Sequence, residues 1–268
     1  MKNLEGRWSL VTGASSGLGA DFARTLAAEG SNLVLVARRE DRLRALAREL
    51  EAEHRCETRV RTADLSERDA PDHIHRQLRE EGLVVDVLVN NAGFGLYGAF
   101  TEIPWEREEQ MLLVDVVALA HMTKLFVDDM KERDFGYVLQ VASIGAYQPT
   151  PTYACYGAAK AFVLSFGEAL AYELRRSRVR VTVLSPGVTR TEFLQVAGQR
   201  PTLYQRLSMM ESRDVARAGI RAMLRGKTTV IPGLVNALPV WSLRLMPRRT
   251  AAALASLLMN SGERGATG

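Results

Sequence analysis

Cysteine is scarce. Cys56 and Cys155 are the only two in 268 residues, too few for a disulfide framework, and they share no CxxC spacing, so a stapled secreted scaffold and a zinc ribbon are both excluded. There are only four histidines. The one close pair, in Asp72-His73-Ile74-His75, is spaced i,i+2 and diverges on a helix, so no metal site is expected, while His54 and His121 show no partner pattern. HExxH is absent. No uninterrupted apolar run reaches the roughly eighteen residues that cross a bilayer, and the opening thirteen residues have no apolar run behind a basic segment. A cytoplasmic location is therefore expected. Charge of one sign is lacking as well: 35 Lys and Arg face 31 Asp and Glu, a net +4 that supports no nucleic-acid partner. No repeat, low-complexity stretch or interdomain linker interrupts the chain.

What is present is ordinary globular composition, 47% hydrophobic and 25% charged, with alternating short β-rich runs and longer helical patterns over about 230 residues. Strands are predicted at Ser9–Thr12, Asn32–Ala37, Thr58–Thr62, Val85–Asn90, Tyr137–Ala142, Val179–Ser185 and Thr228–Ile231. Helices are predicted at Leu18–Glu29, Arg42–Glu53, Ala70–Glu81, Glu106–Glu132, Tyr153–Arg176 and Arg213–Leu224. Ser66 followed by Asp69 reads as a cap for the third helix, and Gly30 as the stop of the first. Strands as continuously apolar as Leu33–Val36 need cover on both faces. The fold class is thus α/β, a doubly wound, predominantly parallel sheet in a Rossmann-like three-layer sandwich.

The first strand runs into Thr12-Gly13-Ala14-Ser15-Ser16-Gly17-Leu18-Gly19. Glycines at a strand-to-helix junction permit a tight turn, and the helix N-terminus offers unpaired amides to a pyrophosphate. In such a fold the second strand ends near the adenosine ribose, where NAD sites carry a carboxylate. Here the strand ends Val36-Ala37-Arg38-Arg39, and two guanidiniums without a carboxylate favour the 2′-phosphate of NADP(H), a solvated charge pair being the alternative. Asp64 and Leu65, after the third strand, fall beside the adenine, where Asp64 is either a ligand or a plain turn residue. Asn90-Asn91-Ala92-Gly93 after the fourth strand is expected to line the ribose with side-chain amides, although asparagine is also common turn chemistry.

Tyr156 and Lys160 share one face of a helix at i,i+4, and an ammonium near a phenol favours phenolate. Ser143 ends the preceding strand and can hold a carbonyl oxygen in the same cleft. With TGASSGLG, NNAG, Ser143, YGAAK and SPG followed by Thr189, the chain resembles the classical short-chain dehydrogenase/reductase family over about residues 6–232. The resemblance implies that Tyr156 is the general acid/base and that Lys160 contacts the nicotinamide ribose and lowers the tyrosine pKa. Ser143 would position the substrate oxygen, and Pro186, Gly187, Val188 and Thr189 would border the nicotinamide. One position departs from the pattern. The family's helical asparagine, whose backbone carbonyl holds a relay water, is replaced by Asp115, expected to add a buried charge and impair the relay. On that reading Asp115→Asn raises turnover about tenfold, or roughly 1.4 kcal/mol. Asp128 and Asp129 read as solvated helix charges.

These residues form one dinucleotide-binding and catalytic domain over residues 1–232, with a substrate lid in 187–212, where no clear strand is seen. Phe94, Leu96, Tyr97, Tyr147, Tyr153 and Phe193, with Leu203 and Tyr204 on the lid, suggest walls for a lipophilic ketone, aldehyde or secondary alcohol. The alternative is a dinucleotide-binding sensor or scaffold whose relay Asp115 has broken. Family counterparts of the two long helices pair across two-fold axes, so a homodimer or homotetramer is expected. Residues 233–268 form an apolar, basic extension, similar to tails in acyl-lipid and ketoacyl reductase-like members, suited to covering the substrate mouth, a subunit interface or peripheral membrane contact.

Overall fold

The computed structural model describes residues 4–259; Glu263 and Arg264 of the extension lie outside them. Five βα units and a sixth strand come first: β1 (Trp8–Thr12), α1 (Gly17–Ala28), β2 (Asn32–Ala37), α2 (Glu40–His54), β3 (Thr58–Thr62), α3 (Ala70–Glu80), β4 (Val85–Asn90), α4 (Trp105–Leu112) continuing into α5 (Leu119–Glu132), β5 (Gly136–Val141), α6 (Ala154–Glu173) and β6 (Val179–Leu184). Then follow β7 (Thr189–Arg190), α7 (Phe193–Ala197), α8 (Leu203–Ser208), β8 (Met210–Glu211), α9 (Ser212–Leu224), β9 (Thr229–Val230), α10 (Leu234–Ser242) and α11 (Arg248–Met259). Seven parallel strands form one sheet in the order β3-β2-β1-β4-β5-β6-β9.

Period-2 alternation distributes the apolar strand residues between two cores. Leu33 and Leu35 pack with Phe22, Leu26 and Met223 under α1, α2 and α9, whereas Val34 and Val36 pack with Ile74, Met122 and Phe126 under α3 and α5. Each such side chain, fully buried, contributes about 1.5–3 kcal/mol. Because the sheet order reverses between β1 and β4, their carboxyl ends diverge into a crevice, the place where such folds bind ligands.

Several local expectations change. Gly30 does follow α1, in a left-handed conformation (φ 91°). Ser66 and Asp69 do not cap α3: Ser66 turns back on Asp64, donating from its N–H (3.0 Å) and hydroxyl (2.8 Å), and Asp69 makes no capping bond. The long helix is interrupted by a π-helical turn at Leu113–Ala118 with Asp115 inside it; such turns often mark functional positions. Trp105–Glu132 is long and apolar enough to cross a membrane, but Met111, Ala118, Met122, Phe126 and Met130 are spent on the core. Asp129 is not a solvated charge, since it meets His75 at 2.7 Å between α5 and α3, and His121 has Asp72 at 3.4 Å. The 187–212 segment does contain strands: β7 and β8 pair in parallel, Thr189 with Met210 and Arg190 with Glu211.

Candidate active site

The floor of the crevice is made by β1 and β4. Thr12 accepts the N–H groups of Asn91 and Ala92 at its hydroxyl (3.0 Å each) and donates to the Val89 carbonyl (3.3 Å), tying the two strand ends together. Gly13 and Gly17 have positive φ, 68° and 52°. A Cβ on Gly19 would stand 2.2 Å from the Gly13 carbonyl oxygen, and one on Gly13 2.8 Å from the Asn91 amide nitrogen. Only glycines fit this turn, and with Ser15, Ser16 and Leu18 it presents the N-terminus of α1 to the crevice. That cradle fits the diphosphate of a dinucleotide.

The asparagine amides do not line a ribose as expected. Asn91 donates to the Thr12 and Gly13 carbonyls (2.9 and 3.5 Å), and buried Asn90 donates to the Thr123 hydroxyl (2.9 Å). Both amides have backbone or core partners, so what Asn90 to Gly93 offer the crevice is shape.

At the end of β2, Arg39 donates to the Ser15 and Ser16 hydroxyls (3.2 and 2.6 Å) and, with Arg42, to the carboxylate of Glu192 (3.1 and 2.8 Å). Those guanidiniums hold Glu192 below the usual carboxylate range. Arg38 faces Asp64 at 3.5 Å. Burial pulls the Asp64 carboxyl up, but the Ser66 bonds and Arg38 outweigh it and keep it below its ordinary value. Leu65 beside it is buried. Arginines, serines and a glycine-lined helix end therefore converge where a phosphorylated ribose would lie.

Ser143 leaves β5 in extended conformation, and its hydroxyl accepts the Gly145 N–H (3.1 Å) and lies beside the Tyr156 phenol. Lys160, one turn along α6, has its ammonium 5.6 Å from the Tyr156 ring centre. Tyr153 and Phe193 flank that ring at 5.7 and 5.4 Å between centroids, Tyr97 packs behind Tyr153 at 5.4 Å, and a Cβ on Gly95 would stand 2.8 Å from Phe193. Leu96 is buried, whereas Leu203 points outward and is no wall residue. Burial and then Glu108 push the Cys155 thiol above its ordinary value.

Lys160 stands against a carboxylate. Its ammonium, buried and donating to the Val141 carbonyl (3.2 Å), lies 3.0 Å from Asp115 Oδ2, and Asp115 Oδ1 accepts the Phe94 N–H (3.1 Å). Asp115 is thus an ion-paired residue rather than an uncompensated charge. Burial pushes its carboxyl above the ordinary value, and Lys160 partly offsets this. Tyr156 is pushed up too, first by burial and then by the negative charge of Asp115, against the opposing Ser143 hydroxyl. Burial and the Asp115 carboxylate both act against phenolate and keep the phenol's pKa above its ordinary value.

Residues not singled out from the sequence complete the rim. Thr191 lies over the loop, so that a Cβ on Gly17 would meet it at 3.0 Å; Glu192 reaches the arginines as described. Asn236, on α10, sits so close to Gly187 that a Cβ there would be 2.3 Å from its Oδ1. Pro186, Gly187, Val188 and Thr189 run from β6 into β7 beneath it, with the Thr189 hydroxyl donating to the Gly187 carbonyl (3.0 Å). A signal for Asn236 or Glu192 was absent, since neither belongs to a motif and both act across more than 45 residues.

A family model described as short chain dehydrogenase matches residues 7–201. An uncharacterised oxidoreductase of Staphylococcus saprophyticus is 31% identical over 223 residues, 83% of this chain and 93% of its own. A solved 7beta-hydroxysteroid dehydrogenase matches with a TM-score of 0.86 and 27% identity, over 95% of this chain and 98% of the other. A short-chain dehydrogenase from Sphingobium yanoikuyae, in complex with NADPH, gives 0.81 and 30% over 97% and 98%. The chain spans little more than half the length of several longer reductases that it also matches.

Proposed function

The chain belongs to the short chain dehydrogenase family and is an oxidoreductase working with a nicotinamide cofactor, and from that premise we propose that it moves hydride between NADP(H) and a lipophilic ketone, aldehyde or secondary alcohol. The observation that carries this reading is the convergence of Ser143, Tyr156 and Lys160 beside an aromatic cluster at the carboxyl end of β5, next to the glycine loop.

Gly13 to Gly19, Arg38, Arg39 and the Pro186–Thr189 segment would hold the cofactor. When bound, the nicotinamide supplies or takes the hydride. Ser143 holds the carbonyl oxygen while the Tyr156 phenol donates its proton to it, and a phenol kept protonated by burial suits that direction. Tyr97, Tyr153 and Phe193 exclude water from the reacting carbon and favour an apolar substrate. That preference agrees with a relative whose substrate is a hydroxysteroid. The preference for NADP(H) is supported by Arg38 and Arg39 and by the NADPH held in a structural neighbour, although another neighbour holds NADH.

A panel of lipophilic carbonyls and alcohols, followed at the nicotinamide absorbance band, tests the activity. Tyr156→Phe should abolish turnover and leave NADPH binding intact. NADPH should bind more tightly than NADH in a fluorescence titration, and equal or tighter NADH binding would overturn the arginine argument. The sensor reading has one observation behind it, the sequestered Lys160, and predicts NADPH binding with no turnover across the panel. We place the protein in the cytoplasm as a homodimer or homotetramer joined through α4–α5 and α6. These elements expose Val117, Phe162 and Tyr172, and light scattering reads the state directly.

A further inference from the structure

Ten of the sixteen large apolar side chains exposed among the described residues lie between Val196 and Leu257, in the lid and the C-terminal extension. Their arrangement is inverted relative to a soluble helix. On α8, Gln205 and Ser208 are buried while Leu203 and Leu207 are three-quarters exposed. On α10, Asn236 and Val240 face inward while Leu234, Leu238 and Trp241 form a stripe at i, i+4 and i+7, continued by Leu245. On α11, Ala251 and Ala255 are inside and Leu254 and Leu257 outside.

The buried polar groups hold this orientation. Tyr153 donates to the Gln199 side chain (2.8 Å), Gln205 donates to the same oxygen (3.0 Å), and Gln199 donates to the Met259 carbonyl (3.0 Å). The Thr202 hydroxyl donates to the Leu258 carbonyl (3.2 Å) while capping α8. Turning the leucines inward would break a connected buried network, which is costly. The network also ends on Tyr153, three residues from Tyr156, so the apolar face is attached to the rim of the reactive cleft.

Charge decides what covers it. Residues 193–210 and 227–262 carry six arginines and lysines and no aspartate or glutamate. Arg200, Arg206, Arg248 and Arg249 are exposed. A second copy laid on this face would set like charges against each other, whereas a bilayer offers acyl chains to the leucines and anionic headgroups to the arginines. We propose that the face formed by α8, α10 and α11 docks on the surface of an anionic lipid bilayer, with Leu238 and Trp241 in the acyl boundary and Arg248 and Arg249 among the headgroups. For the lipophilic substrate proposed above, docking sets the cleft mouth against the phase in which that substrate is concentrated. This corollary rests on that reading, whereas docking itself does not.

The test is sedimentation of the full-length protein, without cofactor or substrate, with phosphatidylcholine vesicles with and without phosphatidylglycerol. Binding to the anionic vesicles, reversed by high salt and accompanied by a blue shift of tryptophan emission that Trp241→Phe removes, is expected. Leu238→Ser with Trp241→Ser should weaken it at least about tenfold. Arg248→Gln with Arg249→Gln should weaken it about thirtyfold, on anionic vesicles only. Protein that stays in the supernatant with anionic vesicles overturns the proposal, as does equal binding to neutral ones. A soluble oligomer that Leu238→Ser with Trp241→Ser dissociates would overturn it too and assign the face to a second copy. Circular dichroism and NADPH titration of the variants show that fold and site survive.

Discussion

Replacing Asp115 by asparagine tests the buried pair directly. The carboxylate is fully buried and serves two donors, the Phe94 N–H at Oδ1 and the Lys160 ammonium at Oδ2. Asparagine has one acceptor oxygen, so in either orientation its NH2 faces one of those donors. Removing one member of a buried ion pair costs about 3–5 kcal/mol. The amide oxygen recovers about 1 kcal/mol through the hydrogen bond it keeps. A net loss of about 3 kcal/mol, at about 3 °C per kcal/mol for a chain of this size, lowers Tm by roughly 9 °C. The charge change acts on chemistry in the opposite sense. Asp115 is one cause of the raised Tyr156 pKa, so its neutralisation lowers that pKa. In the alcohol-oxidising direction, which needs phenolate, the rising limb of the kcat profile should move to lower pH. The tenfold gain in turnover expected from the family pattern is then confined to that limb. Differential scanning fluorimetry and a kcat profile from about pH 5 to 10 read both effects. A Tm within about 1 °C of the parent would show that the pair does not hold the structure, since a broken buried pair costs more than that. An unmoved limb would show that the carboxylate charge is not felt at the phenol.

Three further outcomes are expected. Glu192→Gln frees Arg39 and Arg42 from their internal carboxylate, so NADPH should bind about fivefold more tightly and NADH nearly unchanged in a fluorescence titration; weaker NADPH binding would instead make Glu192 a strap over the cofactor. Arg24 holds Glu49 below its ordinary value of 4.5, so the pair's stabilisation is complete above that pH and is lost as pH falls through the lower, folded-state value. Glu49→Gln should therefore cost about 1 kcal/mol at pH 7, screening included, and progressively less as the pH falls below 4.5, as read by chemical denaturation. Gly19→Ala places a methyl 2.2 Å from the Gly13 carbonyl oxygen and should destabilise the loop by about 1–3 kcal/mol and abolish NADPH binding, while circular dichroism still shows a folded chain.

The order of the seven strands of the main sheet and the helices that cover it, the glycine loop, the arginines after β2 and the spacing of Ser143, Tyr156 and Lys160 were legible in the chain. Each depends on local conformation or on a spacing of a few residues: continuous apolar strands need cover, only glycine makes the first turn, and i,i+4 sets two side chains on one face of α6. What tertiary structure alone decided is which charges and amides meet. Asp115 and Lys160 are 45 positions apart, and only the packing of the π-helical turn against α6 makes them a pair beside Tyr156. Asn91 spends its amide on the loop opposite, and Glu192 reaches Arg39 from 153 residues away. On α8 and α10 the sequence shows apolar residues but not which way they face, and the buried Gln199, Gln205 and Asn236 are what turn the leucines outward. Hydropathy patterns fix local conformation because backbone sterics and burial act within a few residues. The electrostatics of a buried site and the outward face of a helix depend on partners the folded chain brings from a distance, and a buried polar group must take whichever partner arrives.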